Sequence, residues 1–255
     1  MGKKNITEPD IGSLFQNQTK YSPESLAGHT IDFGSIPPAF KEYSDPVLRA
    51  SLPEPGEHGE TNIWKLLQNR RSRRELSPDK QMTLHDLSAL LWATQGFTAQ
   101  AGDVFFRTAP SAGALYPVET YLCVRSVAGL KEGIYHFRPR DYDLELIRKG
   151  SFSANLAEAA LGQSVVLRAQ LVFIWSSIIA RGKWKYSQRA YRYIYLDAGH
   201  IAQNLYLAGE GLGLGICAIG AFYDDAVNAI MGFDGEDETV IYMATVGFRS
   251  SDCPI

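Results

Sequence analysis

Cysteine is scarce in this chain. The three cysteines among 255 residues, Cys123, Cys217 and Cys253, form no C-x-x-C pair, so no redox or zinc pair is read from them. Cys123 and Cys217 sit in apolar, strand-like runs and read as buried, inert thiols. The five histidines are scattered without metal-ligand spacing, which argues against zinc. An excess of either charge is also missing. A formal charge of -3 exerts no global pull on nucleic acid or an anionic membrane, so any basic site must be local. The longest apolar run, "LVFIW" from Leu171, is far too short to span a bilayer. The opening "MGKKNITEPDIGS" lacks the apolar core of a signal peptide, and Ile6 stands where myristoylation needs Ser or Thr. No internal repeat or low-complexity tract is present. The expectation is a soluble, cytoplasmic protein with no nucleic-acid or membrane partner, in which the glycosylation-like Asn5 and Asn17 carry no meaning.

What is present is ordinary globular material, 45% hydrophobic and 21% charged. Residues 1–60, with "IPPAF" and "LPEPGEHGE", read as a partly irregular arm. Residues 61–255 read as one compact domain. "TNIWKLLQNRR" has apolar residues at helical spacing, with Thr61 as N-cap. Thr83 and Asp86 form a capping-box pattern before Leu84, Leu87, Leu90 and Leu91, and Gly96 ends that helix. "ETYLCVR", "GIYHFR" and "DLELIR" read as strands, the last two joined as a hairpin by "RPRDYD". "FSANLAEAAL" reads as a helix and "QLVFIWS" as a central buried strand. The longest helix is expected from about Ser187 to Leu212. Its small residues Ala198, Gly199, Ala202, Ala208 and Gly209 would admit a close-packed partner helix. "GICAIGAF" and "TVIYMATVGF" read as strands around a short helix, "DDAVNAIM". Without a regular βαβ alternation, the class is a mixed or antiparallel sheet covered by helices.

Three segments carry candidate chemistry. "RRSRR" (Arg70, Arg71, Ser72, Arg73, Arg74) offers planar guanidinium forks and a hydroxyl suited to a phosphate, or else a solvated basic face. "RTAPSAGALYP" (Arg107–Pro117) has the small residues that let backbone amides approach a flat ligand. It also resembles a serine-hydrolase elbow, with Ser111, Asp197 and His200 in the order of that fold. Asp197 and His200 would share one helix, which is poor triad geometry. "GLGICA" (Gly213–Ala218) follows a helix and enters a strand, the reverse of a dinucleotide fingerprint. Lastly, "GKWKYSQRAYRYIYLDAGH" (Gly182–His200) places Lys185 and Tyr186 just before a helix and Arg189 and Arg192 on its first turns, where cations oppose the macrodipole. A structural reading pairs Arg189 or Arg192 with Asp197 and buries Tyr191 and Tyr195. The functional reading is a proton-transfer cluster in which crowded positive charge lowers a lysine pKa and stabilises a tyrosinate.

Taken together, "RRSRREL", "LLWATQGFT", "RTAPSAGALYPVETYL", "GIYHF", "KYSQRAYRYIYLDAGHIAQN", "GLGLGICAIGAF" and "VGF" resemble, in this order, the nitroreductase-like FMN enzymes. The nearer likeness is to their SagB-type branch, which includes thiazole- and oxazole-forming oxidases, and it covers about Ile63 to Phe248. "QTKYS" near Thr19 resembles the branch's N-terminal segment, with Asn17 and Gln18 where a His-Glu pair is usual. The resemblance implies an α+β fold with a mixed, largely antiparallel sheet flanked by helices. It also implies an intertwined homodimer with a long central interface helix and one FMN per subunit. Arg70 and Ser72, within the Arg70–Arg71–Ser72 run, match positions that hold the FMN phosphate, and Arg74 matches the basic residue near the flavin pyrimidine edge. Pro110, Ser111, Ala112 and Gly113 match the loop reaching the flavin from the partner subunit. Ile219 and Gly220 match the strand end beneath the ring, and Arg249 is a further phosphate candidate. Lys185 and Tyr186 match the catalytic Lys-Tyr pair of azole-forming members. The activity so implied is oxidation of azoline rings in a modified peptide, or of a related small substrate, by hydride transfer to flavin. Two alternatives stand beside it: an NAD(P)H-dependent nitro or quinone reductase, and a non-catalytic flavin-binding scaffold in a peptide-modifying complex.

Overall fold

The computed structural model describes residues 11–19, 31–55, 62–102 and 104–250. Helix α1 (Ile11–Gln18) and strand β1 (Leu48–Ser51) come from the arm. They are followed by α2 (Ile63–Asn69), α3 (Leu84–Gln95) and the hairpin β2 (Phe97–Ala101) and β3 (Val104–Arg107). Strands β4 (Val118–Val124), β5 (Gly133–Arg138) and β6 (Asp143–Lys149) precede the short helices α4 (Ser153–Ala159) and α5 (Val165–Arg168). The chain ends with β7 (Leu171–Ile178), α6 (Ile179–Tyr186), α7 (Ala190–Gly211), β8 (Leu214–Ile219), α8 (Asp224–Met231) and β9 (Glu238–Phe248). Seven strands make one sheet, ordered β1-β6-β5-β4-β7-β9-β8, with every pairing antiparallel. Among the described residues, parallel contacts are single bridges, Ser72 to Ile216 and Met82 to Val127.

The α+β class is the expected one, and the patterning explains it. "LVFIWS" is continuously apolar because β7 is central and covered on both faces. Leu171, Phe173 and Trp175 pack toward α3 and α7, while Val172 and Ile174 pack toward α4, α5 and α8. The α3 capping box is present, with Thr83 Oγ1 accepting from Asp86 N at 3.0 Å and Asp86 answering toward Thr83 N. Thr61 lies outside the described residues. Asn62 caps α2 instead, accepting from Trp64 N at 2.8 Å. Cys253, Asn5 and the Lys20–Ser22 part of "QTKYS" are also outside the described residues.

The arm also contributes regular structure: β1 pairs with β6 along one sheet edge, and Pro38 O accepts from Arg181 Nε at 2.8 Å. Lys41 donates to Tyr121 Oη at 2.8 Å and pairs with Glu238. The long helix, expected from about Ser187, is preceded by a separate short one. Residues 179–186 form α6, and Ser187–Arg189 a 3-10 turn before α7. The break lies at Ser187, which holds φ 48°, ψ −133°, a region ordinarily left to glycine.

Beneath the sheet lies a buried polar chain. His136 on β5 stands between Glu119 on β4 (3.0 Å) and Glu145 on β6 (3.3 Å). Glu119 also pairs with Arg181 of α6, and Arg49 donates to Glu145 at 2.9 Å. Burial by itself would raise the Glu119 carboxyl. The His136 hydrogen bond and the Arg181 charge outweigh it and hold the group at about 2. Burial likewise pulls the His136 imidazolium down, but its bonds to both glutamates win and the net shift is upward. This pairing fixes the first turn of α6.

Candidate active site

The predicted site residues gather in two groups, joined by α7. The first is at the β8 end of the sheet. Residues 70–77 run beside β8: Arg73 N donates to Ile216 O at 2.8 Å, and Ser77 N to Phe248 O at 2.9 Å. Gly215 permits this approach, because a Cβ there would stand 2.6 Å from Leu76 and 3.1 Å from Arg73. Tyr206 of α7 organises the group. Its hydroxyl is 2.9 Å from Ser72 Oγ and accepts from Ala218 N at 2.8 Å, while the Arg70 guanidinium lies 5.3 Å over its ring. Arg74 is close enough for its charge to oppose the upward push that burial exerts on the Cys217 thiol. Ile219 is buried at the end of β8, and Gly220 is exposed just beyond it.

Not every arginine takes part equally. Arg71 turns back onto the α2 C-terminus, donating to the carbonyls of Gln68 and Arg70 at 2.9 Å. It acts as a helix-end cation. Arg249 donates to Glu210 at 2.7 Å and to Leu214 O at 3.1 Å, so an internal carboxylate already answers its charge. Arg70, Ser72 and Arg74 therefore form the donor set. Arg73 adds a buried Nε with no hydrogen-bond partner among the described residues. A cluster of guanidinium and hydroxyl donors with a surplus N–H suits a phosphate-bearing cofactor.

The second group joins the Pro110–Gly113 loop to α6 and α7. Ser111 Oγ donates to Asp197 Oδ2 at 2.5 Å, Ala112 N donates to Asp197 Oδ1 at 3.3 Å, and Ser111 Oγ accepts from Tyr116 N at 3.0 Å. The loop carries positive φ at Gly113 (64°), Ala114 (54°) and Tyr116 (46°). Tyr116 is held between two partners: Arg107 N donates to its hydroxyl at 3.0 Å, and the Arg107 guanidinium lies 4.4 Å over its ring. Gly113 backs directly onto the predicted pair. A Cβ at this position would fall 2.4 Å from Tyr186 Oη and 3.0 Å from Lys185 Nζ.

This arrangement revises parts of the sequence reading. Lys185 and Tyr186 precede the long helix, as expected, but they close a helix of their own, α6, where Lys183 and Lys185 occupy the last turn and the macrodipole favours cations. Arg189 and Arg192, at the head of α7, bond to Thr19 after α1: Arg189 Nη1 to Thr19 O at 3.2 Å, and Arg192 Nε to Thr19 Oγ1 at 2.7 Å. Asp197, offered above as their partner, instead accepts from the loop. Tyr186 is not a stabilised tyrosinate either. Burial, Tyr193 and the negative charge of Asp197 all push its phenol upward. The hydrolase reading also fails on geometry: Ser111 bonds straight to a carboxylate, and His200 lies exposed on the same helix. Of the small residues on α7, Ala198, Ala202 and Gly209 face this chain's own core. A Cβ on Gly209 would strike Ile216 at 2.6 Å, whereas Gly199 opens outward.

Sequence reasoning missed Tyr206 and Arg181. A phenol amid the small residues of "QNLYLAG" was the available signal for Tyr206. Arg181 gave none, since its partners Glu119 and Pro38 lie 62 and 143 residues away. Among the described residues, no group of three His, Cys, Asp or Glu side chains could hold a metal ion, and no helix is long and apolar enough to cross a membrane.

Comparison with known proteins shows the family and the fold. The Nitroreductase family profile matches residues 67–248. A Methanocaldococcus jannaschii protein named as a nitroreductase is 39% identical over 172 residues, covering 68% of this chain and 85% of its own. The trifolitoxin-processing protein TfxB of Rhizobium leguminosarum bv. trifolii is 30% identical over 140 residues, covering 52% of this chain and 37% of its own. The crystal structure of an Anabaena variabilis protein titled as a nitroreductase superposes with a TM-score of 0.76 at 29% identity. It covers 94% of this chain, which spans 46% of the Anabaena chain. The chain belongs to the nitroreductase family of oxidoreductases, and its motifs and its TfxB likeness put it on the SagB-type side of that family.

Proposed function

We propose that this protein is an FMN-dependent oxidoreductase of the SagB type that oxidises azoline rings in a modified peptide, with oxygen as second substrate. The observation that carries the reading is the meeting of Gly113 with Lys185 Nζ and Tyr186 Oη. It puts a small-residue loop against a proton-handling pair at the end of a helix. FMN, when bound, supplies the acceptor for hydride. Arg70 and Ser72 would hold its phosphate, and Arg74, Ile219 and Gly220 would line the flavin site. An azoline that becomes an azole loses one hydrogen as hydride and one as a proton, and Lys185 Nζ receives the proton. Tyr186 keeps its own proton at neutral pH and donates a hydrogen bond to the ring.

Within one chain the two groups lie at different levels of α7. Asp197 and Tyr206 are nine residues apart, about 13 Å along the axis. A homodimer would let the loop of one subunit meet the phosphate group of the other. Exposed Trp64 (74%) and Leu196 (59%) on the adjoining α2 and α7 support such an interface. TfxB, named for processing a toxin, supports a place in a peptide-modifying complex.

The first test is the visible spectrum of the purified protein with mass spectrometry of the released ligand; one FMN per chain is expected. Lys185→Ala and Tyr186→Phe should each lower turnover of a thiazoline peptide by about 10²-fold or more. Undiminished turnover in both variants defeats the assigned roles. The Methanocaldococcus relative favours a second reading, reduction of nitro compounds or quinones by NAD(P)H. Rapid bleaching of the flavin on mixing with NADPH would select it.

A further inference from the structure

We propose that Asp197 is a positioning residue of the proton-transfer site, its carboxylate clamping the Ser111–Gly113 turn so that Gly113 stays seated against Lys185 and Tyr186. This rests on the role proposed above for that pair. The clamp is two-pronged. One carboxylate oxygen takes the Ser111 hydroxyl at 2.5 Å and the other takes the Ala112 amide at 3.3 Å. Ser111 relays the restraint by accepting from Tyr116 N at 3.0 Å. The turn so held contains Gly113 at φ 64°, where a Cβ would lie 2.4 Å from Tyr186 Oη and would push the Tyr186 and Lys185 side-chain ends aside. The lengths of these contacts make the loop and the end of α6 one unit, with Asp197 as its tie to α7.

Asp197 is only 4% exposed, and the partners that touch it, a hydroxyl and an amide, are neutral donors. Burying a carboxylate is unfavourable, but two donors on opposite oxygens need a side chain that accepts at both, and an asparagine would turn an NH2 donor toward one of them. The charge also acts on its neighbours. The titratable and charged groups around it are Lys185 and Tyr186 from α6, Tyr193 and His200 from α7, and Arg189, whose guanidinium lies 5.7 Å over the Tyr193 ring. The loop contributes only hydroxyl and amide groups. Tyr186 and Tyr193 meet in a T-shaped contact at 4.9 Å, and both line one narrow cleft with Asp197, Ala112 and Gly182. Burial first, then Tyr193 and the Asp197 charge, push the Tyr186 phenol upward, so Tyr186 keeps its proton and can donate.

The test uses the full chain with two substitutions and two readouts. Tyr186 is titrated by its tyrosinate absorbance, taken as the difference between each protein and its Tyr186→Phe counterpart. Azoline turnover is measured as kcat and KM separately. Asp197→Asn is expected to lower the Tyr186 midpoint and to reduce kcat by about 10²-fold, with KM within roughly threefold. Ser111→Ala, which cuts one prong and keeps the charge, should reduce kcat while leaving the Tyr186 midpoint in place. An Asp197→Asn protein with unchanged Tyr186 midpoint and unchanged kcat overturns the proposal. So does a Ser111→Ala protein with wild-type kcat. If the wild type oxidises no azoline yet Asp197→Asn still moves the Tyr186 midpoint, the placing of Asp197 stands and the azoline reading falls.

Discussion

Single residues here act through charges that the fold places out of water. Glu119 is the clearest case. Its carboxyl lies near 2 in the folded chain against an ordinary 4.5. A depressed carboxyl contributes stability that is fully present above pH 4.5 and lost as pH falls from there toward 2. His136 is shifted the other way, above 6.5, so its contribution is full below 6.5 and fades as pH rises through its folded value. Thermal melting across pH should therefore show a maximum in mildly acidic buffer. Glu119→Gln, which leaves His136 and Arg181 without their shared carboxylate, should lose about 3 kcal/mol at neutral pH and show a shallower acid limb. A variant with wild-type stability and an unchanged limb would remove Glu119 from the account. Neither partner of Glu119 could be named from sequence. A lone Glu in "VETYL" reads as an outward strand residue until two neighbouring strands and a helix close over it.

At the level of elements, the junction of α6 and α7 decides where the chemistry stands. The periodicity of "YIYLDAGHIAQN" was readable, and α7 is a helix over most of the expected span. The expected start near Ser187 coincides with the break in the backbone, but the separate helix α6 before it was not read from the sequence. Ser187 adopts φ 48°, ψ −133°, which reverses the chain and leaves Lys185 and Tyr186 on a separate helix. Replacing Ser187 with Gly relieves this strain, and we expect a gain of about 1 kcal/mol in denaturant unfolding. A clear loss would mean that the serine side chain holds the junction through contacts of its own. The hairpin β2–β3 escaped notice for another reason: "FTAQA" alternates apolar and polar residues, but two of its three apolar positions are alanine, a weak strand former, and its pairing has a register shift between Phe97 and Ala99.

The whole molecule adds what no element holds. One sheet covered on both faces leaves an apolar surface on α2 and α7, with Trp64, Tyr195 and Leu196 all more than half exposed. Light scattering should give a dimer mass for the wild type. Trp64→Glu with Leu196→Glu should give a monomer that no longer retains FMN. A monomeric wild type that still carries the cofactor would sink the two-subunit site.

The sequence by itself determined the secondary structure of the core strands and of α3, because periods of 2.0 and 3.6 and a capping box are written within a few residues. It also determined which segments carry chemistry, since "RRSRR", "APSAG" and "KY" are local concentrations of donors, small residues and proton carriers. Only the tertiary structure decided what these segments meet. Ser111 reaches Asp197 across 86 residues and Arg189 reaches Thr19 across 170, while Lys185 and Tyr186 close a separate helix and meet Gly113. Such pairings depend on how the packed sheet and helices bring distant chain together, and a local pattern of residue types holds no record of that distance.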